Sequence, residues 1–172
     1  MKRFLLRGLA ALALALASIP FVSAQSLTDY AENKLVDAVL RGQSLGAPAT
    51  LYVGLATAAS SCETGSVTEV STSGTAYSRA SVTSNLTNWA GTQSAGSTTA
   101  SSGTGGQTSN NSTITIGSTA TASWGTVTHF FLADASTAGN IWICQALTTS
   151  KTINNGDPAP TFSAGALTVT FQ

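Results

Sequence analysis

Few of the 172 residues could carry chemistry: one histidine, His129, two cysteines, Cys62 and Cys144, and seven acidic side chains. A nucleophilic triad needs an imidazole base steered by a carboxylate, so His129 is the sole possible base. It lies inside Val127-Thr128-His129-Phe130-Phe131, a strand pattern, where the ordinary role of a histidine is a half-buried sheet position. The carboxylates Glu63, Glu69, Asp134 and Asp157 stand near expected turns or strand ends, where solvation or turn capping is the usual use, and they suggest no hydrolytic pair. There is no Gly-x-Ser-x-Gly elbow and no Gly-Lys-Ser/Thr loop, and Gly103-Thr104-Gly105-Gly106 lacks the strand-to-helix context of a phosphate cradle. One histidine without a Cys-x-x-Cys pair makes no tetrahedral metal set. The sequence therefore assigns no catalytic, cofactor-binding or metal residue, and the expectation is a protein that is not an enzyme.

Composition narrows the classes further. Charged residues make up 8% of the chain, against roughly 25% in ordinary soluble domains, which excludes a nucleic-acid-binding surface. Thr and Ser number 27 and 23, so polarity comes from hydroxyls. Three of the seven basic residues, Lys2, Arg3 and Arg7, precede an apolar run from Leu9 to Val22 and the small residues Ser23-Ala24. This is the three-part form of a secretory signal. The run falls short of the length that spans a bilayer of about 30 Å. Cleavage between Ala24 and Gln25 is expected, leaving four basic against seven acidic groups; the alternative is an uncleaved leader that anchors the chain to a membrane. Export places Cys62 and Cys144 in an oxidising compartment, where an even count favours a bridge over two buried thiols.

The elements follow from periodicity. Leu27, Tyr30, Ala31, Leu35, Ala38 and Val39 recur at three- and four-residue spacing, which predicts an amphipathic helix over 26–41, with Ser26 as cap and Gly42 as stop. Its apolar stripe must find a sheet or a neighbouring subunit, because a lone helix of this length is marginal in water. Downstream, strands are expected at 50–57, 66–71, 77–84, 112–116, 120–133, 140–147 and 167–171, with turns at Gly139-Asn140 and Asn154-Asn155-Gly156-Asp157. The expected fold is mainly β: one domain over residues 25–172, an antiparallel β-sandwich or distorted barrel with one N-terminal amphipathic helix. Residues 91–111 lose nearly all large apolar side chains and read as a flexible Gly/Ser/Thr loop. Such a loop can also be a tip that contacts a partner.

Two weaker patterns compete with a structural reading. Thr113-Ile114-Thr115-Ile116 and Thr119-Ala120-Thr121 resemble the threonine ladders of solenoids, but no repeat runs along the chain. Trp89, Trp124, Trp142, Tyr52 and Tyr77 could line a sugar-binding platform, although aromatics inside strand patterns are usually core.

A set of ordered blocks carries a family resemblance. These are Asp29-Tyr30-Ala31-Glu32-Asn33-Lys34-Leu35-Val36-Asp37, Ala47-Pro48-Ala49-Thr50-Leu51-Tyr52-Val53-Gly54-Leu55, Glu69-Val70 with Gly74 to Ala80, and Trp124-Gly125-Thr126-Val127-Thr128-His129. Ala146-Leu147-Thr148-Thr149-Ser150-Lys151-Thr152-Ile153 and Asn155-Gly156-Asp157 complete the set. Together they resemble small tailed-bacteriophage virion proteins often labelled tail fibre or tail fibre-like. The resemblance implies a non-enzymatic structural subunit of phage or prophage origin, β-rich and homo-oligomeric, with virion or cell-surface partners. Phage virion proteins ordinarily lack a leader, so export would suit a phage-type module at the cell surface or in an extracellular filament, or else a component of the virion itself. The rival expectation is a secreted adhesin or glycan-binding module on the same scaffold.

Overall fold

The computed structural model describes residues 27–91, 100–102 and 106–171. The leader 1–24 with its cleavage point at Ala24 and Gln25, and positions 92–99 and 103–105 of the expected loop, lie outside the described residues. One helix, α1 (Asp29–Leu40), is followed by β1 (Thr50–Ser61), β2 (Ser66–Glu69), β3 (Ala80–Thr83), β4 (Trp89–Ala90), β5 (Gln107–Asn110), β6 (Ile114–Thr115), β7 (Gly125–Ala133), β8 (Ile141–Ile153), β9 (Thr161–Phe162) and β10 (Thr168–Thr170). No described helix is long and apolar enough to cross a membrane.

The largest sheet is antiparallel, in the order β2-β1-β7-β8, with β3 on the same edge of β1 as β2. β7 and β8 form a hairpin that turns through Gly139, and β1 lies along the other side of β7. Direct partners alternate between the sheet's two faces. Val53 opposite Leu132 and Leu55 opposite Phe130 belong to the main core, while Gly54 opposite Phe131 and the neighbouring Ala56, Ala133 and Cys144 form a second, smaller cluster. The middles of β1 and β7 are thus buried on both faces, which explains their near-continuous apolar runs.

Two small sheets, β10-β5-β4 and β6-β9, supply the other side of the main core through Val169, Leu167, Ile114 and Phe162. Phe130 of the large sheet meets Phe162 edge to face, with ring centroids 5.9 Å apart. The arrangement is sandwich-like and mainly β; no closed barrel forms among the described residues, so the barrel alternative is set aside.

Three sequence expectations need correction. Thr28, not Ser26, caps α1: it has extended backbone angles, and its hydroxyl accepts from the Ala31 N–H. The stretch 91–111 is not loop throughout, because β5 pairs with both β4 and β10. Its order comes from polar bonding: Asn110 is buried, its Nδ2 donates to the Ser112, Phe162 and Ser163 carbonyls, and its Oδ1 accepts from the Leu167 N–H. A fully satisfied buried amide fixes position as firmly as apolar packing does. Finally, the Asn154-Asn155-Gly156-Asp157 turn does not join paired neighbours; it carries the chain from β8 to β9 in another sheet.

Gly54 tests this packing. A Cβ there would stand 2.2 Å from the tip of the fully buried Phe131 ring. Gly54→Ala should cost about 1–3 kcal/mol through overpacking, a fall in Tm of roughly 3–10 °C by calorimetry. An unchanged Tm would mean that the ring does not lie against this glycine.

Candidate functional site

The polar residues with chemical potential are built into structural bonds. His129 sits half-buried in β7, and its Nδ1 is 2.8 Å from the Thr128 hydroxyl. No carboxylate orients it; Thr128 in turn donates to the Thr57 carbonyl. The sequence-expected sheet role is where the structure places it.

The carboxylates act separately. Asp134 closes the β7–β8 hairpin, its Oδ1 accepting from the Asn140 backbone N–H and its Oδ2 from Asn140 Nδ2 and the Trp142 indole. Burial alone would raise its pKa, but these donors outweigh it and hold the carboxyl below its ordinary value. Asp157 Oδ2 accepts from the Asn154 N–H across its turn, and the Glu63 backbone carbonyl accepts from Asp29. Among the described residues, no three His, Cys, Asp or Glu side chains cluster as metal ligands.

Glu69 belongs to a network that sequence reasoning missed. Its Oε1 accepts from the Tyr77 hydroxyl and from Arg79 Nε, and its Oε2 from Arg79 Nη2, each at 2.8 Å. Arg79 Nη1 also donates to the Ala135 and Ala138 carbonyls in the hairpin loop at 2.7 and 2.8 Å. The guanidinium carbon lies 4.9 Å from the Phe131 ring centroid. Tyr77 accepts from the Leu55 N–H, and burial pushes its phenol far above the ordinary range, with Glu69 adding to the shift, so it remains a donor. The carboxylate bonded to Arg79 holds the guanidinium charge more firmly than in water despite burial. Glu69 ends β2 and Arg79 stands ten positions on, in the segment just before β3, a spacing that no local rule flags. The network leaves the carboxylate engaged on three bonds and offers no reacting position.

Cys62 and Cys144 are bonded in the structure, with Cα atoms 5.0 Å apart, which ties the turn after β1 to β8 beside Ala56 and Phe131. The five aromatics do not form a platform. Trp124 and Trp142 are buried, as is Tyr77; Trp124 Nε1 donates to the Thr75 carbonyl at 2.7 Å, and Trp142 meets Tyr30 edge to face. Only Tyr52 and Trp89 remain half-exposed. Of the glycine-rich stretch, Gly106 is described; its carbonyl accepts from Phe171 N–H and it leads into a strand, not a helix.

Two apolar surfaces remain. The outer side of α1 exposes Leu35, Val36, Val39 and Leu40, and a groove of about 650 Å³ opens beside Trp89, Leu86 and Phe171. The sequence pattern assigned Leu35 and Val39 to the buried stripe; in the structure the inward side of α1 is Tyr30 and Ala31 on β8.

The family model described as Podophage GP4 fiber I protein gp80 matches residues 26–170. Among curated proteins, nothing matches.

The Arg79–Glu69 network has a measurable energy. The Arg79 side chain is 6% exposed and that of Glu69 27%, so Arg79→Leu should destabilise by about 2–4 kcal/mol, somewhat less than loss of one partner from a fully buried pair. A double-mutant cycle with Glu69→Gln in urea should give a coupling of about 1–2 kcal/mol. Strict additivity would show that the two do not act as a unit.

Proposed function

We propose, from the fact that the chain belongs to the Podophage GP4 fiber I protein gp80 family, that it is a non-enzymatic building block which assembles with copies of itself into a phage-type fibre or related surface structure. The observation that carries this reading is the extent of the family match, which takes in nearly every described residue and all the sheets. The chemistry of the surface supports it. Natural sheet edges use charge to discourage association, yet β8 ends the large sheet with exposed Thr148, Thr149, Ser150 and Thr152 and a single Lys151. An interface of hydroxyls and small residues can be extensive without a single dominant contact.

We further infer that the chain is exported, with cleavage between Ala24 and Gln25, and that Cys62 and Cys144 oxidise after export. The basic-apolar-small order of residues 1–24 supports the first step, and the adjacency of the two cysteines supports the second. The bond closes a long loop, its partners standing 82 positions apart in sequence, for which chain entropy alone gives about 4–5 kcal/mol. Virion component and phage-type module on the cell surface are both compatible with a fibre subunit; the leader favours the surface.

Light scattering on the purified protein should show concentration-dependent homo-oligomers, and electron micrographs should show repeating particles or filaments; a strictly monomeric species at high concentration would overturn the assembly role. In fractionated cells, the exported form should begin at Gln25 and should show no alkylatable thiol until reduced, after which its Tm should fall. A cytosolic protein with its leader intact, or two free thiols in the native exported form, would overturn the export reading.

A further inference from the structure

Past Ala56 the β1–β2 hairpin leaves the rest of the large sheet. β1 pairs with β7 as far as Ala56 on His129, whereas its pairing with β2 runs on from Ala56 to Ser61. At the root of this extension the Thr128 hydroxyl donates to the Thr57 carbonyl. A two-stranded hairpin standing by itself is marginally stable in water, and so is a lone helix as short as the 12 residues of α1. These two marginal elements meet at one place. The turn that ends the hairpin, residues 62–65, lies against the start of β8, where a Cβ on Gly65 would stand 3.4 Å from that of Ile141. The N-terminus of α1 is held by both jaws. The Thr28 N–H donates to the Trp142 carbonyl at 3.1 Å and its hydroxyl to the Ile141 carbonyl, while the Asp29 N–H donates to the Glu63 carbonyl at 2.7 Å. Cys62 and Cys144 join the same two jaws covalently.

We propose that the Cys62–Cys144 bond is a redox latch: joined, it clamps the end of the β1–β2 hairpin on β8 and closes the seat of α1; opened, it lets hairpin end and helix come away together while the sheets stay folded. Little apolar contact holds the jaws otherwise. Apart from Phe131 and Ile141, the side chains clustered between them are alanines, one valine and the cysteines themselves. The helix adds Tyr30, edge to face on Trp142 with centroids 5.3 Å apart, and the Leu27–Ile143 bridge. The main core takes nothing from residues 57–68 and only Leu27, Tyr30 and Ala31 from the helix end, so it can outlast the loss of both. Units that open on their own in this way are those with few buried contacts to the remainder of the fold.

The chemistry is thiol–disulfide exchange, and burial sets its direction. Cys62 is half-buried and Cys144 is 1% exposed, so the thiolate of a dithiol reductant bonds to the Cys62 sulfur, and Cys144 departs as a thiolate and takes up a proton. The reductant's second thiolate then attacks its own sulfur in the mixed disulfide, and Cys62 leaves and is protonated in turn. The protein has gained two electrons and two protons, and the reductant departs as a disulfide. Closing reverses the sequence, with an oxidised dithiol as the oxidant. The consequence lies at the surface. α1 carries Leu35, Val36, Val39 and Leu40, four of the six large apolar side chains that the described residues expose, and the bond decides whether that helix stands at a fixed place. The latch is a property of the single chain and does not rest on the assembly role.

Linkage supplies the test, because two coupled events bias each other equally. A helix that leaves its seat when the bond opens makes its Thr28 contacts in the joined form alone, so Thr28→Ala weakens that form and spares the other. In buffers of reduced and oxidised dithiothreitol, with thiols counted by alkylation of the purified chain, Thr28→Ala should move the equilibrium about three- to tenfold toward the two-thiol form. No shift would mean that the helix is docked in both forms, and the proposal would fall. Hydrogen exchange read by mass spectrometry should show the amides of 29–40 and 57–68 losing at least tenfold more protection on reduction than those of 130–132. Equal loss everywhere, the result expected of a bond that only restricts the unfolded chain, overturns the proposal, as does a bond that reduced dithiothreitol never opens in the folded protein. The reagent-free variant, Cys62→Ala with Cys144→Ala, should reproduce the reduced pattern; an α1 that stays protected in it overturns the latch as well.

Discussion

A guanidinium lying on a buried aromatic ring holds the structure's parts in register. Arg79 reaches Phe131 from the segment before β3, binds Glu69 at the end of β2 with two parallel bonds, and donates to the hairpin loop between β7 and β8. A charge removed from water is costly unless its donors find acceptors, and here Arg79 makes four donor contacts to two other chain segments, Glu69 and the hairpin loop. The same residue accounts for Gly54. Phe131 can extend beneath the guanidinium only because the position opposite it on β1 carries no side chain. Tyr77 extends the constraint, accepting from the Leu55 N–H of β1 and donating to Glu69, while the Val70 N–H donates to the Leu55 carbonyl, so the edge of β1 between β2 and β3 is closed where no strand continues.

How much of this was legible in the sequence depends on the force that orders each element. α1, β1, β7 and β8 are shaped by apolar burial, and burial leaves a period that can be read along the chain. β5 has no such period: Gln107, Thr108, Ser109 and Asn110 are ordered by ladder bonds and by the four bonds of the Asn110 amide to segments far away in sequence. Composition therefore read it as loop. β4 and β9, two residues each, are too short to show any alternation. The helix pattern was correct as to existence, but it did not reveal that Leu35 and Val39 turn outward, because which side of a short apolar helix meets the sheet is set by Thr28 and Tyr30 docking on β8.

The candidate site shows the same division. The cysteine pair was legible because a count and a compartment suffice to suggest a bridge. The Arg79 network was not, since its partners come from four stretches of chain and share no spacing. The aromatic residues were ambiguous from sequence, and burial separates them: Tyr77, Trp124 and Trp142 pack inside, leaving Trp89 at a surface that is apolar.

These features bear on the proposed assembly role. The core is shared between one five-stranded sheet and two small sheets, and the outer surfaces carry few charges. With so few ions, those surfaces meet little electrostatic resistance to close approach, and hydroxyls can exchange water for backbone or hydroxyl partners at small net cost. A surface of this kind takes any specificity from shape, and shape is what a rigid hairpin, pinned by Arg79 at its loop and by Cys144 along its length, can provide. The polar network thus serves the outside of the molecule: by fixing β8, it fixes the seat of α1, and with it the direction in which the helix presents its uncovered side chains.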